Sequence, residues 1–161
     1  MMATGIANQA KTKVVDRLTG SGGIGATLGA LTDNTPDGWG VVTQNVAAEL
    51  AERSGTVKYP AVNVYCEKIG NELREKFRSF SGTVRMAIEV RHSQDRLEGI
   101  EDAVEQYTEA ITSALSASRG DWGDGMFYNG GYEVTFGAVK RGGKNFAQVA
   151  KVTFEVGVSR S

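Results

Sequence analysis

Along residues 83–91 apolar and polar side chains alternate, with Ala87 the one small apolar residue on the polar side. Val84, Met86, Ile88 and Val90 fall on one side, and Arg85, Glu89 and Arg91 on the other. A period of two sends alternate side chains to opposite faces of a sheet, so this segment is predicted as a half-buried strand. After it the period becomes helical. Ile100, Ala103, Val104, Tyr107, Ala110, Ile111, Ala114 and Leu115 form one apolar stripe. Asp95, with Glu98 three residues later, has the capping-box pattern, so the predicted helix runs over 95–118. A loop over 119–131 with five glycines follows. Tyr132, Val134, Phe136 and Ala138 then alternate again, and a Gly142-Gly143 turn joins that strand to a last one over 145–158.

Upstream, Val62, Val64 and Cys66 share one face of a strand predicted at 58–66. Residues 71–78 admit two readings. Leu73 and Phe77 stand at helical spacing, with Glu72 and Lys76 as an i,i+4 pair, yet the same stretch could be extended chain entering the next strand. A first helix is predicted at 6–19, with Ala7, Ala10, Val14 and Leu18 on its stripe and Gly20 ending it. A short helical turn at 26–31 and a second helix at 44–53, ended by Gly55, complete the inventory. The predicted class is α+β: a mixed, mostly antiparallel four-stranded sheet packed with one long helix and N-terminal helices. The pattern leaves open whether the strands flanking the long helix run parallel or antiparallel.

Composition adds bounds. A chain of 161 residues suits one domain, divided into a helical, Gly-rich region (1–57) and a sheet-and-helix core (58–158). That size buries about 70% of the unfolded chain's surface, so folding needs no disulfide or metal. The single cysteine, Cys66, has no internal partner and fits a reducing compartment. No apolar run approaches the roughly 18 residues of a membrane span. The opening residues lack a secretory pattern, so folding in the cytosol is expected. Net charge is −1 but segregated: residues 97–125 hold seven acids and one base, residues 58–96 eight bases and five acids. Such segregation favours pairing of complementary surfaces over general binding of a polyanion.

Candidate chemistry is sparse. Gly20-Ser21-Gly22-Gly23-Ile24-Gly25 spells G-x-G-x-x-G, but a predicted helix precedes it where dinucleotide binding needs a strand. A helix cap and loop explain it better. His92 is the only histidine, with no partner for a metal pair or proton relay, and reads as a solvated strand-end residue. Cys66 reads as a small buried hydrophobe. Asp121-Trp122-Gly123-Asp124-Gly125 and the group Asp33, Asn34 and Asp37 lack the full ligand spacing of a calcium loop, and turn chemistry accounts for both. No catalytic, cofactor or metal residues are therefore assigned.

Two features suit contacts. Glu98, Glu101, Asp102, Glu105 and Glu109 make an acidic helix face with no interleaved base, either a solvated surface or one that meets a basic partner. Trp122, Phe127 and Tyr128 lie among glycines, and such aromatics are favoured interface anchors. The alternative for Trp122 is packing back over the sheet edge. With Arg141 and Lys144 of the hairpin turn, these are the predicted interface residues.

From the Pro-led strand Tyr59-Pro60-Ala61-Val62-Asn63-Val64-Tyr65 onward, the chain resembles the tail-terminator (tail-completion) proteins of long-tailed bacteriophages. The resemblance lies in the order and spacing of that strand, the alternating strand from Val84 to Val90, the helix to Leu115 and the closing hairpin of Gly131–Val134 with Phe146–Val156. It covers about 58–158; the Gly-rich first 57 residues depart from it. It implies a non-enzymatic virion subunit, assembled in the host cytoplasm, without cofactor or membrane. Such subunits form a ring, typically hexameric, that caps the tail tube and meets the head-side neck. A near-neutral or acidic bore would let DNA pass without specific binding. Two other classes compete: another head–tail neck or completion protein, and a single-strand nucleic-acid module using Phe136, Phe146 and Phe154 as a stacking platform.

Overall fold

The structure, a computed structural model, describes residues 5–19, 40–42 and 61–161. The Gly20–Gly25 motif, the Asp33–Asp37 group, and the helices predicted at 26–31 and 44–53 lie outside the described residues. Within them the fold is α+β. Helix α1 (Ile6–Thr19) and helix α2 (Ile100–Ser116) accompany eight strands: β1 (Gly40–Val42), β2 (Ala61–Asn71), β3 (Phe80–Gln94), β4 (Gly120–Gly123), β5 (Met126–Tyr128), β6 (Glu133–Phe136), β7 (Lys140–Gly142) and β8 (Asn145–Arg160). All belong to one sheet, in which β2 to β8 pair antiparallel and β1 joins β2 in parallel.

The predicted four strands thus correspond to a sheet of finer division. Its long lanes are β2, β3 and β8, and the far edge of β8 is lined in turn by β7, β6 and β5, with β4 beyond β5. Gly130, between β5 and β6, has φ of 97°, a left-handed backbone that interrupts a straight ladder, while Gly125 (76°) and Gly143 (64°) turn the chain between β4 and β5 and between β7 and β8. The two strands predicted on either side of the long helix, β3 and β6, are not neighbours; both pair antiparallel with β8, which lies between them, and β4 and β5 intervene between the helix and β6 in the chain.

Register explains the core. Val62 pairs with Val90, Val64 with Ile88 and Cys66 with Met86, while Ile88, Met86 and Val84 pair with Val152, Phe154 and Val156 of β8. Directly opposed residues share a face, so these side chains form one apolar layer. Both helices cover it. Helix α1 packs on β2 and β3 through Ala10, Val14 and Leu18; helix α2 packs on β3 and β8. Its buried positions include Ile100, Val104, Tyr107, Ile111 and Leu115, the predicted stripe, with Thr108 added.

Two local expectations are corrected. Helix α2 starts at Ile100, and its N-cap is Gly99 at φ 80° with no side-chain cap. The Asp95–Glu98 capping box does not form, because the Gln94 amide donates to the carbonyls of Arg96 (2.7 Å) and Glu98 (2.8 Å) and holds 95–99 as a turn. Residues 71–78 form neither a helix nor a strand entry; 72–79 are the loop of a β2–β3 hairpin.

Candidate assembly surfaces

The aromatic segment divides by strand parity. In β5, Met126 and Tyr128 point into the core and Phe127 points away, 56% exposed. Trp122 and Tyr128 are buried, which removes both from the predicted surface anchors. The reason is the space at the sheet edge that α1 and Phe154 leave to be filled. The Trp122 ring lies 5.4 Å from Tyr128 and 6.4 Å from Phe154, and its indole N–H donates to the Ser118 carbonyl at 2.7 Å. From α1, the Arg17 guanidinium covers the indole face and the Lys13 ammonium donates to the Trp122 carbonyl at 2.9 Å. The Tyr128 hydroxyl donates to the Gly131 carbonyl at 3.0 Å. Burial, with Tyr132 second, pushes the Tyr128 phenol up to about 12.

Arg141 and Lys144 are exposed at the β7–β8 turn, with the Arg141 guanidinium 5.7 Å from the Phe146 ring centre. Phe127, Arg141 and Lys144 are therefore surface residues, on two separate strand pairs. The stacking platform of the nucleic-acid reading does not assemble: Phe154 is buried beneath Trp122 and Tyr128, while Phe136 is half exposed on another strand. His92 is also not solvated. Its ring packs edge-on against Tyr107 at 5.3 Å, its Nε2 meets the Gln94 side-chain oxygen at 3.2 Å, and burial lowers its pKa. Cys66 sits at the margin of the core, half-buried, with its thiol pKa raised by burial.

The sheet face away from the helices carries a lattice of charge. Glu67 receives Lys151 at 3.0 Å and lies 3.9 Å from Arg85, which lies 3.9 Å from Glu155. Beside it the Tyr65 hydroxyl donates to Glu89 at 2.6 Å. Burial first, and that hydrogen bond second, hold the Tyr65 phenol well above its ordinary range. Opposite charges of Glu67, Arg85, Lys151 and Glu155 offset one another across these strands.

The most exposed apolar group among the described residues was not among the expected contacts. It is the hairpin loop, where Phe77 is 99% exposed and Leu73 64% exposed, both with left-handed backbone at φ 64° and 51°. The loop is braced from within. The Asn71 side-chain oxygen accepts from the amides of Leu73 and Ser81, and its amide donates to the Ser79 carbonyl. The Ser81 carbonyl accepts from the Glu72 and Arg74 amides, and the Ser81 hydroxyl accepts from the Glu75 amide at 3.0 Å. Glu72 pairs with Arg74 and Glu75 with Arg78, while Lys76 joins no ion pair among the described residues. The sequence signal was present in Asn71 and in Ser79, Ser81 and Gly82, turn-forming residues bracketing a charged stretch that holds one aromatic.

The acidic side of α2 is as patterned. Glu98, Glu101, Asp102, Glu105 and Glu109 are all exposed. At the start of that helix a cavity of about 360 Å³ is lined by Leu97, Gly99, Ile100, Glu101, Asp102 and Val139. Among the described residues there is no cluster of His, Cys, Asp or Glu able to hold a metal, and no helix long and apolar enough to cross a membrane. No protein-family model and no curated protein sequence matches the chain.

Proposed function

We propose that this protein is a virion structural part of a long-tailed bacteriophage, a tail terminator that forms a ring on the finished tail tube and connects it to the head-side neck. The resemblance over 58–158 supplies the family. The observation that carries the reading is that one sheet-and-helix scaffold displays two unlike patches, an apolar loop tip at Phe77 and an acidic helix face. A closed ring of identical subunits needs two different surfaces on each copy, because its contacts are heterologous. A solvated charge lattice, or an acidic wall, facing the bore would let DNA move through, since bound phosphates need unpaired lysine or arginine. The ring is hexameric in this proposal, with tail tube protein and neck protein as its axial partners.

The test is assembly of tails in the absence of the protein. Tubes of uncontrolled length, unable to join heads, are the expected result, and labelled protein added back locates to the head-proximal end. Tubes of normal length that join heads without it would overturn the reading.

A further inference from the structure

We infer that the protein binds a second copy of itself head to tail, with Phe77 of one copy entering the cavity beside Leu97 and Val139 of the next. This rests on the ring reading and names the contact that would build the ring.

Phe77 carries a fully exposed phenyl ring on a left-handed backbone, a conformation that bulky residues avoid. No described residue rewards that placement with burial, yet the hydrogen bonds of Asn71 and Ser81 hold the loop in shape. A preorganised apolar knob loses little freedom on docking, so its burial counts more fully toward affinity. The socket has the complementary character. Ile100 is buried, Leu97 is 56% exposed and Val139 is half-buried, while Glu101 and Asp102 complete the lining. Lys76, next to Phe77 and in no ion pair among the described residues, brings the opposite charge to those carboxylates.

Position completes the argument. The loop precedes β3 and the socket follows it, and β3 has 15 residues. At about 3.3 Å per residue its ends stand roughly 45 Å apart. Knob and socket therefore cannot meet within one copy. Between copies they make a heterologous contact that repeats, closing as a ring where the rotation permits.

The experiment uses the full chain and measures mass in solution by sedimentation over a range of concentrations. The parent chain associates. Phe77→Glu and Leu97→Glu each weaken association at least about 30-fold, as expected for a central anchor. An equimolar mixture of the two variants forms a 1:1 dimer and nothing larger, because one intact knob then meets one intact socket. Lys76→Glu also weakens association, and combining it with Glu101→Lys and Asp102→Lys in the same chain restores it. Thermal melts confirm that each variant is folded. A parent chain monomeric at every concentration, variants that associate like the parent, or a folded mixture that stays monomeric would each overturn this contact. Tail length without the protein is read separately, so the terminator reading can survive loss of this contact, and the reverse.

Discussion

The guanidinium carbon of Arg17 stands 4.4 Å from the centre of the Trp122 ring. It fastens the first helix to a strand of the far half of the chain, and Lys13, one turn earlier, ties the same strand through the Trp122 carbonyl and the turn after it through Asp124. The clasp closes the core at the edge where β4 and β5 leave the long strands. Trp122 fills that corner with Tyr128 and Phe154, and the two α1 cations cover what remains of the ring and its backbone.

Trp122→Ala should therefore cost about 3–5 kcal/mol, the range for removing a large buried aromatic, and Arg17→Ala about 1 kcal/mol. Denaturant unfolding of both single variants and the double variant gives their coupling. A coupling of about 0.5–1 kcal/mol is expected, and additive costs would show that Arg17 only overlies the ring.

Phe77 should be a cost to the monomer. Asn tolerates the left-handed region better than Phe, and Phe77 has no burial to lose. Phe77→Asn is expected to raise unfolding free energy by about 0.5–1 kcal/mol in dilute protein. A fall of that size would mean that the ring supports the loop, in conflict with its exposure.

Gly82 is required by space. A Cβ there would stand 1.9 Å from the Gly70 carbonyl oxygen and 2.9 Å from the Glu72 amide nitrogen. Both are backbone atoms that a side-chain rotation cannot move aside. Gly82→Ala should destabilise by about 2–3 kcal/mol or more, as overpacking against a rigid wall does. Gly99→Ala meets open space at φ 80° and should cost only the backbone strain, about 1 kcal/mol. Thermal unfolding of the pair separates crowding from conformation.

Alkaline pH should loosen the fold through Tyr128. Its folded-state pKa is pushed up to about 12 from 10.0, so between these values the unfolded chain releases a proton that the folded chain keeps. The unfolded state then binds fewer protons, and stability falls as pH rises from about 10 to about 12. The contribution is fully present below pH 10. Tyr128→Phe loses the hydrogen bond to Gly131, about 1 kcal/mol near neutrality, and removes this part of the alkaline slope. Urea titrations at pH 8 and pH 11 check it: an unchanged slope in the variant assigns the loss to Tyr65, whose phenol is also raised.

The main elements were legible because their patterns are local. The alternation of Val84 to Val90 and the stripe from Ile100 to Leu115 set the faces of β3 and α2 whatever they pack against. Their ends were less legible, since Gln94 overrides the Asp95 capping box from one residue outside it. Of the expected contact residues, Phe127, Arg141 and Lys144 are on the surface, whereas Trp122 and Tyr128 are core. Composition could not separate these aromatics, because a glycine-rich neighbourhood says how the chain bends and not which strand face meets the core.

Periods of 2 and 3.6 act within each element, so the order of residues alone specifies an α+β chain whose long strands and α2 have a fixed apolar side. Which partner each side receives depends on how the elements come together. Trp122 is buried because α1 reaches it from the other end of the chain, and the 72–79 loop takes its shape because Asn71 and Ser81 meet across the hairpin. Such contacts join positions apart in sequence, and no local period encodes them.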